Sequence, residues 1–533
     1  MGQKEYLGVM IDNSRNAVMN VEATKRFIVL LEKMGYNCLM LYTEDTYEIE
    51  EEPYFGHMRG RLSKNEIQEI DVFAHEHNIE LMPCIQTLAH LNGIMRWDNY
   101  TALKDTDDII CAGDEKVYEL IDHMFNSISK AYTSRTVNVG MDEAANIGLG
   151  NYLKKNGLEN RVDILIKHLN RVSQIANKYG FKLLMWGDMF FRLAGDGNYY
   201  DTNIDESLRS KIPDNVTLIY WDYYSYDVKH YDENILNHKK VQDDIWFAGG
   251  LWTWTGFVPH IGTAINASKA ALKSCLNNNV KNVLLTLWGD NGAECSRFSV
   301  LPSLYAASEF YHGNFDVALI KQNFYKMFGI EFDDFSLIEL PGTDNTAGFC
   351  NNAEKYALYN DCFTGLFDCK IKSDGAAKYA VAAEKLALMC NENEYSYLFK
   401  TAKLLCEVLA LKYDLGVRTR NAYLAEDKKT LEAICNDYNH VVARLEKFYE
   451  AFEEQWMIEN KPFGFDVQDI RLGGLIMRIK HCKNMLAAYI DGRLKNIPEL
   501  EQPILNVSGA LDESGCDAMC MNLWTNIVTA NII

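Results

Sequence analysis

From residue 5 to about 312 the chain alternates short β-branched or apolar runs with stretches whose apolar positions recur every three to four residues. The runs at 6–11, 36–42, 79–85, 136–141, 181–187, 216–221, 245–250 and 282–288 are predicted strands. Between them, series such as Val117, Leu120, Ile121, Met124 and Ile128, or Val162, Leu165, Ile166, Leu169 and Val172 closed by Gly180, have the spacing of helices with one buried face. Eight strands with intervening helices in about 300 residues predict an α/β fold, a (β/α)8 TIM barrel over residues 1–312. A doubly wound sheet is the competitor, but no Gly-x-Gly-x-x-Gly follows the first strand. After His312-Gly313 the alternation stops. Stretches 314–330, 374–391, 395–414, 428–457 and 467–495 are helical by period and predict a mostly α-helical C-terminal domain over 313–533. The last thirty residues are β-like in composition and find no place in that scheme.

The fourth run, Thr136-Val-Asn-Val-Gly-Met-Asp-Glu143, carries two adjacent acids to its C-terminal end. Strand side chains alternate between faces, so Val137, Val139 and Met141 point one way and Thr136, Asn138, Gly140 and Asp142 the other. Apolar residues toward covering helices and polar residues toward a shared interior fit a catalytic barrel, whose chemistry lies at the strand C-termini. The other strand ends are also polar or aromatic. They read Asp12-Asn13-Ser14-Arg15, Tyr42-Thr43-Glu44-Asp45, Gln86 with His90, Trp186-Gly187-Asp188, Trp221-Asp222-Tyr223-Tyr224, Trp252-Thr253-Trp254 and Trp288-Gly289-Asp290. One arginine, several carboxylates and a ring of tryptophans therefore converge on one mouth. That inventory suits a neutral polyhydroxylated ligand: carboxylates and amides fix hydroxyls, and indole faces cover apolar C–H surfaces. Phosphate would call for more cations and a glycine-rich nest, and a metal for more histidines than His90 alone.

The totals narrow the partners. A net charge of −21 disfavours nucleic acid and anionic membrane. No apolar run reaches the roughly 18–20 residues of a membrane span. Fourteen cysteines are scattered without Cys-x-x-Cys spacing, which predicts buried free thiols rather than a zinc site or a disulfide framework. The start, Met1-Gly2-Gln3-Lys4-Glu5-Tyr6, enters a strand without an apolar signal core, and position 6 is Tyr where myristoylation needs Ser or Thr; the expected location is cytoplasmic. A homodimer through the helical domain is left open.

Asn138-x-Gly140-x-Asp142-Glu143 resembles the His/Asn-x-Gly-x-Asp-Glu signature of glycoside hydrolase family 20, the β-N-acetylhexosaminidases. Arg15, Asp45, His90 and the Trp-x-acid ends of strands 5 and 8 fall in that family's order, and the resemblance covers residues 5 to about 312. The helical domain resembles that of a bacterial subgroup of exo-acting N-acetylglucosaminidases. The resemblance implies a retaining exo-hydrolase of terminal β-GlcNAc, with β-GalNAc as a second substrate, needing no metal or cofactor and acting on oligosaccharides or glycoconjugates. It further implies substrate assistance, in which the 2-acetamido oxygen attacks the anomeric carbon to give an oxazolinium ion. On this resemblance Glu143 is the general acid and base, and Asp142 orients the acetamido N–H. Trp186, Trp221 and Trp288 wall the acetamido pocket, Arg15 and Asp290 bind hydroxyls, and His90 pairs with Asp45 behind the acid. The family usually places a Tyr-x-Asp on strand 7; here Leu251-Trp252-Thr253-Trp254 stands there, leaving Tyr223 or Tyr224 as the amide-oxygen donor and Trp252 as a further wall. Two alternatives remain open: a conventional retaining glycosidase with Asp222 or Asp290 as nucleophile, and a barrel that binds amino sugars without turnover. Arg471, in Asp469-Ile470-Arg471-Leu472-Gly473-Gly474 near Phe463-Gly464-Phe465, is expected in a domain-interface ion pair, with a reach across to the barrel mouth as the alternative.

Overall fold

The computed structural model describes residues 4–194, 198–200, 204–343, 352–391, 393–507 and 524–529. Eight parallel strands close into a barrel in sequence order: β1 Leu7–Asp12, β2 Cys38–Tyr42, β3 Glu80–Cys84, β4 Thr136–Asn138, β5 Lys182–Trp186, β6 Val216–Trp221, β7 Trp246–Gly250 and β8 Asn282–Leu287. Closure is through β1, which pairs with β2 (Gly8 opposite Cys38) and with β8 (Leu7 opposite Val283). The predicted TIM barrel is therefore present, each strand within a few residues of its expected bounds.

Alternation sorts the strand residues into two cores. Met10, Cys38, Met40, Tyr42, Met82, Cys84, Leu184, Trp186, Ile219, Trp246, Ala248 and Leu284 fill the barrel interior. Their sequence neighbours Val9, Ile11, Leu39, Leu41, Leu81, Val137, Leu183, Met185, Leu218, Phe247, Val283 and Leu285 face outward onto the helices. Trp221 and Trp288 pack at the edge of the interior core, which puts the strand-end tryptophans at the floor of the mouth. The helix Glu115–Ala131 buries Val117, Leu120, Ile121, Met124 and Ile128. In Arg161–Lys178, Leu165, Leu169 and Val172 are buried with Ile164, whereas Val162 and Ile166 lie at the margin.

Beyond the barrel the chain is helical: Val317–Phe328, Gly375–Ala387, Ser396–Lys412, Leu415–Leu424, Lys428–Glu459 and Phe465–Ile490. The β-like reading of the last thirty residues is corrected where it can be compared, since Trp524–Ile527 forms a helical turn; residues 508–523 and 530–533 lie outside the described residues. No described helix is long and apolar enough to cross a membrane. The eleven described cysteines are free thiols, most of them buried.

Barrel and helices are stitched together near Asn20. Its side chain caps the helix Val21–Lys33 by accepting from the Ala23 N–H (2.8 Å), and its Nδ2 donates to the Ile458 and Asn460 carbonyls at the end of Lys428–Glu459. Backbone bonds Asn20 N to Glu459 O and Lys461 N to Val18 O flank it. Asn20→Ala removes the cap and both amide bonds together. It is expected to cost about 1–3 kcal/mol, read as a lower denaturant midpoint; an unchanged midpoint would show that these contacts hold nothing.

Candidate active site

β4 is shorter than the sequence pattern suggests. It ends at Asn138, and the acids are delivered by a turn in which Gly140 (φ 72°), Met141 (φ 69°) and Glu143 (φ 54°) all take left-handed backbone. The turn is pinned on both sides. The Asn138 amide oxygen accepts from the Gly140 N–H (2.9 Å), and Gln86 Oε1 accepts from the Met141 N–H (3.2 Å). A Cβ on Gly140 would lie 2.0 Å from Gln86 Oε1, so glycine is required there by contact as well as by φ.

Asp142 is the centre of the polar network. Gln86 Nε2 donates to its Oδ1 (2.8 Å) and also to the Tyr42 hydroxyl (3.0 Å). The His90 imidazole lies 3.2 Å from Oδ2 and 3.8 Å from the Glu143 carboxylate. Burial alone would raise the Asp142 carboxyl, but the His90 charge and the bonds from His90 and Gln86 outweigh it and hold it below its ordinary value. Burial likewise opposes charge on His90, and the Asp142 carboxylate prevails, pushing the imidazole up to about 9. Asp142 and His90 are thus a carboxylate and an imidazolium at neutral pH. Glu143 is half exposed at the rim, and its N–H donates to Asp188 Oδ2 (3.1 Å). Asp188 also accepts from Arg192 Nε (2.9 Å); burial, then the Asp142 charge, pushes its carboxyl up to about 7.

A hollow of about 520 Å3 opens between these groups, lined by Arg15, His90, Asp142, Glu143, Trp186, Trp221, Tyr223, Tyr224, Trp254, Trp288 and Asp290. Trp186 closes its floor at 1% exposure, with Trp288 tilted against it (centroids 6.0 Å). The Tyr223 ring stacks on Trp221 (5.3 Å), and its hydroxyl accepts from Trp288 Nε1 (3.0 Å). Burial raises the Tyr223 phenol well above its ordinary value, so it stays a donor. Arg15 is held between Asp12 (3.2 Å) and Glu44 (3.3 Å), with its guanidinium over the Tyr42 and Trp288 rings. Burial pushes the Asp290 carboxyl up to about 6 against the pull of Arg15.

Of the twelve candidate residues, ten line this hollow and two do not. Asp45 is buried against Arg59, whose Nη2 lies 3.1 Å from Oδ1; His90 turns to the acid pair instead, so the expected Asp45–His90 pair is corrected. Arg59 comes from the loop between β2 and the next helix, which gave no sequence signal of its target. Trp252 takes left-handed backbone (φ 53°), which breaks the alternation: its Nε1 donates to the Tyr223 carbonyl and its ring backs Trp254, which faces the hollow in its place. Asp222, one candidate nucleophile of the conventional scheme, is turned into the wall, accepting from the Tyr220 hydroxyl and pairing with His230 at 2.6 Å. Gln86, Glu44, Asp188 and Arg192 were not expected in the network. The first three stood at strand ends, but nothing in their spacing told which would touch the acids. No group of three or more metal-ligating side chains occurs among the described residues.

This is a barrel whose mouth holds a pair of adjacent acids above a floor of tryptophans. Two family models locate it further: the glycosyl hydrolase family 20 catalytic domain matches residues 5–238, and the glycoside hydrolase 20C C-terminal domain matches residues 332–520. The chain belongs to glycoside hydrolase family 20, hydrolases of the β-N-acetylhexosaminidase type. The catalytic match ends before β7, so Trp254, Trp288 and Asp290 lie beyond it. Hexosaminidase D of Bos taurus is 23% identical over 266 residues, 47% of this chain and 71% of that protein; the Homo sapiens protein is 22% identical over 223 residues, 39% and 43%. Among solved structures, the exo-β-N-acetylglucosaminidase of Vibrio harveyi is 15% identical with a TM-score of 0.43, covering 62% of this chain and 58% of that one. The β-N-acetylhexosaminidase of Bacteroides fragilis is 18% identical with a TM-score of 0.45, covering 60% and 70%. The matches thus span between about two fifths and seven tenths of these relatives' own lengths.

The His90–Asp142 pair sets a pH dependence. A folded-state imidazole raised from 6.5 to about 9 adds stability that is fully present below pH 6.5 and lost as pH rises through 9. The melting-temperature gap between the wild type and His90→Gln should therefore be widest below pH 6.5 and close toward pH 10. A gap that is constant or grows across that range would contradict the pairing.

Proposed function

We propose that the protein is a retaining exo-β-N-acetylhexosaminidase that removes terminal non-reducing β-GlcNAc, and secondarily β-GalNAc, by substrate assistance. One observation carries the reading. Asp142, held ionised, and Glu143 sit side by side on the hollow whose floor is Trp186, Trp221 and Trp288. An ionised carboxylate has four lone-pair sites, and Gln86 and His90 take only part of them. A remaining lone pair accepts the acetamido N–H, which turns the amide oxygen toward the anomeric carbon. As that oxygen attacks, positive charge grows on the amide and the Asp142 interaction strengthens, so it favours the transition state over the bound substrate. The tryptophan floor keeps the methyl end still and water out, holding the attack geometry. Tyr223, protonated and facing the same hollow, donates to the amide oxygen in place of the tyrosine usual on strand 7.

Glu143 protonates the departing glycosidic oxygen, then takes a proton from the water that opens the oxazolinium ring. Its position at the exposed rim, opposite the closed floor, lets the leaving group extend into solvent while one terminal sugar fills the hollow. Arg15, donor-rich, and Asp290, an acceptor beside it, meet the ring hydroxyls. The barrel over residues 1–312 supplies these groups. The conventional scheme is weakened by the burial of Asp222 and keeps only Asp290, which stands beside Arg15.

Acid assistance matters most when departure is hard. Glu143→Gln should cut kcat/KM for a GlcNAc disaccharide or an alkyl glycoside by about 10²–10⁴-fold, and for a dinitrophenyl glycoside far less. Equal losses on both substrates would remove Glu143 from the acid role.

A further inference from the structure

We propose that Arg471, carried by the helix Phe465–Ile490 outside the barrel, is a positioning residue for Asp290; this rests on the reading of Asp290 as a sugar-hydroxyl acceptor. The loop after β8 is strained: Asp290 (φ 29°), Gly292 (φ 129°) and Ala293 (φ 55°) all have positive φ. For the two residues that are not glycine such backbone is costly and persists only where the surroundings over-determine it. On the barrel side the Gly289 N–H donates to Asp12 Oδ2 (2.8 Å), and the Ala293 N–H closes onto the Gly289 carbonyl (2.9 Å).

On the other side the loop is held by the helical region. Arg471 Nη1 donates to the Asn291 carbonyl (2.8 Å) and pairs with Glu294 (2.9 Å), while Nη2 donates to Asn291 Oδ1 (3.1 Å). Gln468 Nε2, one turn earlier on the same helix, donates to the Gly292 carbonyl (3.2 Å). Glu294 is held a second time by Lys355, itself 1% exposed, at 3.0 Å. The Trp524 ring covers both cations, with Lys355 Nζ 4.5 Å and the Arg471 guanidinium 5.1 Å from its centroid. A Cβ at Gly292 would lie 2.5 Å from Arg471 Nη1, so that glycine makes room for the guanidinium.

A buried ion-pair cluster is a weak source of net stability, because desolvation offsets the attraction. Its geometric effect is strong: a guanidinium fork fixes two acceptors on one residue and an acid three residues on. Those acceptors follow Asp290 directly, so the helical region sets where its carboxylate stands in the hollow. A binding group must be held to about half an ångström to act fully.

The test compares Arg471→Met, Asp290→Asn and the double variant, with folding checked by circular dichroism and melting. Readouts are kcat and KM for 4-nitrophenyl β-GlcNAc and β-GalNAc, and inhibition by free GlcNAc. Arg471→Met should lower kcat/KM for the GlcNAc glycoside about tenfold to a hundredfold. It should also weaken GlcNAc inhibition, and move the GlcNAc-to-GalNAc preference toward that of Asp290→Asn. The double variant should be no worse than Asp290→Asn, since both act through one carboxylate. If Arg471→Met does not fold, Arg471→Lys, which keeps the charge but not the fork, carries the same comparison. A folded Arg471 variant with wild-type GlcNAc inhibition and preference, or losses that add to those of Asp290→Asn, would overturn the proposal. If Asp290→Asn itself changes neither readout, the hydroxyl-binding reading fails and this proposal with it.

Discussion

A carboxylate buried in the turn just beyond β4 is kept charged, and much of the mouth is arranged around it. Left to burial, Asp142 would take up a proton and lose its value as an acceptor. His90 supplies a positive charge at 3.2 Å and Gln86 an amide hydrogen at 2.8 Å. Gln86 in turn reaches the Met141 N–H, which needs the left-handed turn at Gly140 and Met141, and that turn carries Glu143 to the rim. Charge, turn and acid position are therefore one constraint. Substituting any member changes the others, and for that reason single substitutions here will not behave additively.

Backbone strain marks the same region. His90, Met141, Glu143, Trp252 and Asp290 all hold positive φ without being glycine. Such residues persist where packing and hydrogen bonds leave no alternative, and they gather where side chains must be aimed rather than merely accommodated. Three of those five side chains, His90, Glu143 and Asp290, point polar groups into the hollow. The helices beyond the barrel take part in the aiming. The N–H of Phe257 in the β7 loop donates to Glu354, and the β8 loop is gripped through Glu294 and Asn291, so walls carrying Trp254 and Asp290 are braced from outside the barrel.

The barrel was legible because strand and helix periods are set by local geometry. Val9, Leu39 and Val283 had to face helices, and Met40 and Trp186 had to face inward, whatever the loops did. The three floor tryptophans were legible for the same reason, since each stands at or next to the last inward position of its strand. Arg15 and the acids were legible only as polar residues shortly beyond the C-terminal ends of β1 and β4. What escaped was decided by the loops. Trp254 replaces Trp252 because one left-handed residue reverses the alternation, and Asp45 is taken by Arg59 from a loop whose path no periodicity encodes. Gln86 and Asp188 were visible at strand ends, but their partners depend on the short left-handed turn that follows β4. The β-like composition near Trp524 gave way to a helical turn whose indole caps a cation pair, a tertiary demand that overrides local preference.

Whether the substrate's own amide performs the displacement is tested most directly by 4-nitrophenyl β-glucosaminides bearing N-acetyl, N-fluoroacetyl, N-difluoroacetyl and N-trifluoroacetyl groups. Each fluorine withdraws electron density from the carbonyl oxygen while changing its size little. With that oxygen as nucleophile and Asp142 steadying the charge it acquires, kcat should fall steeply and log-linearly across the series. A flat series would place the displacement on an enzyme carboxylate and contradict the account.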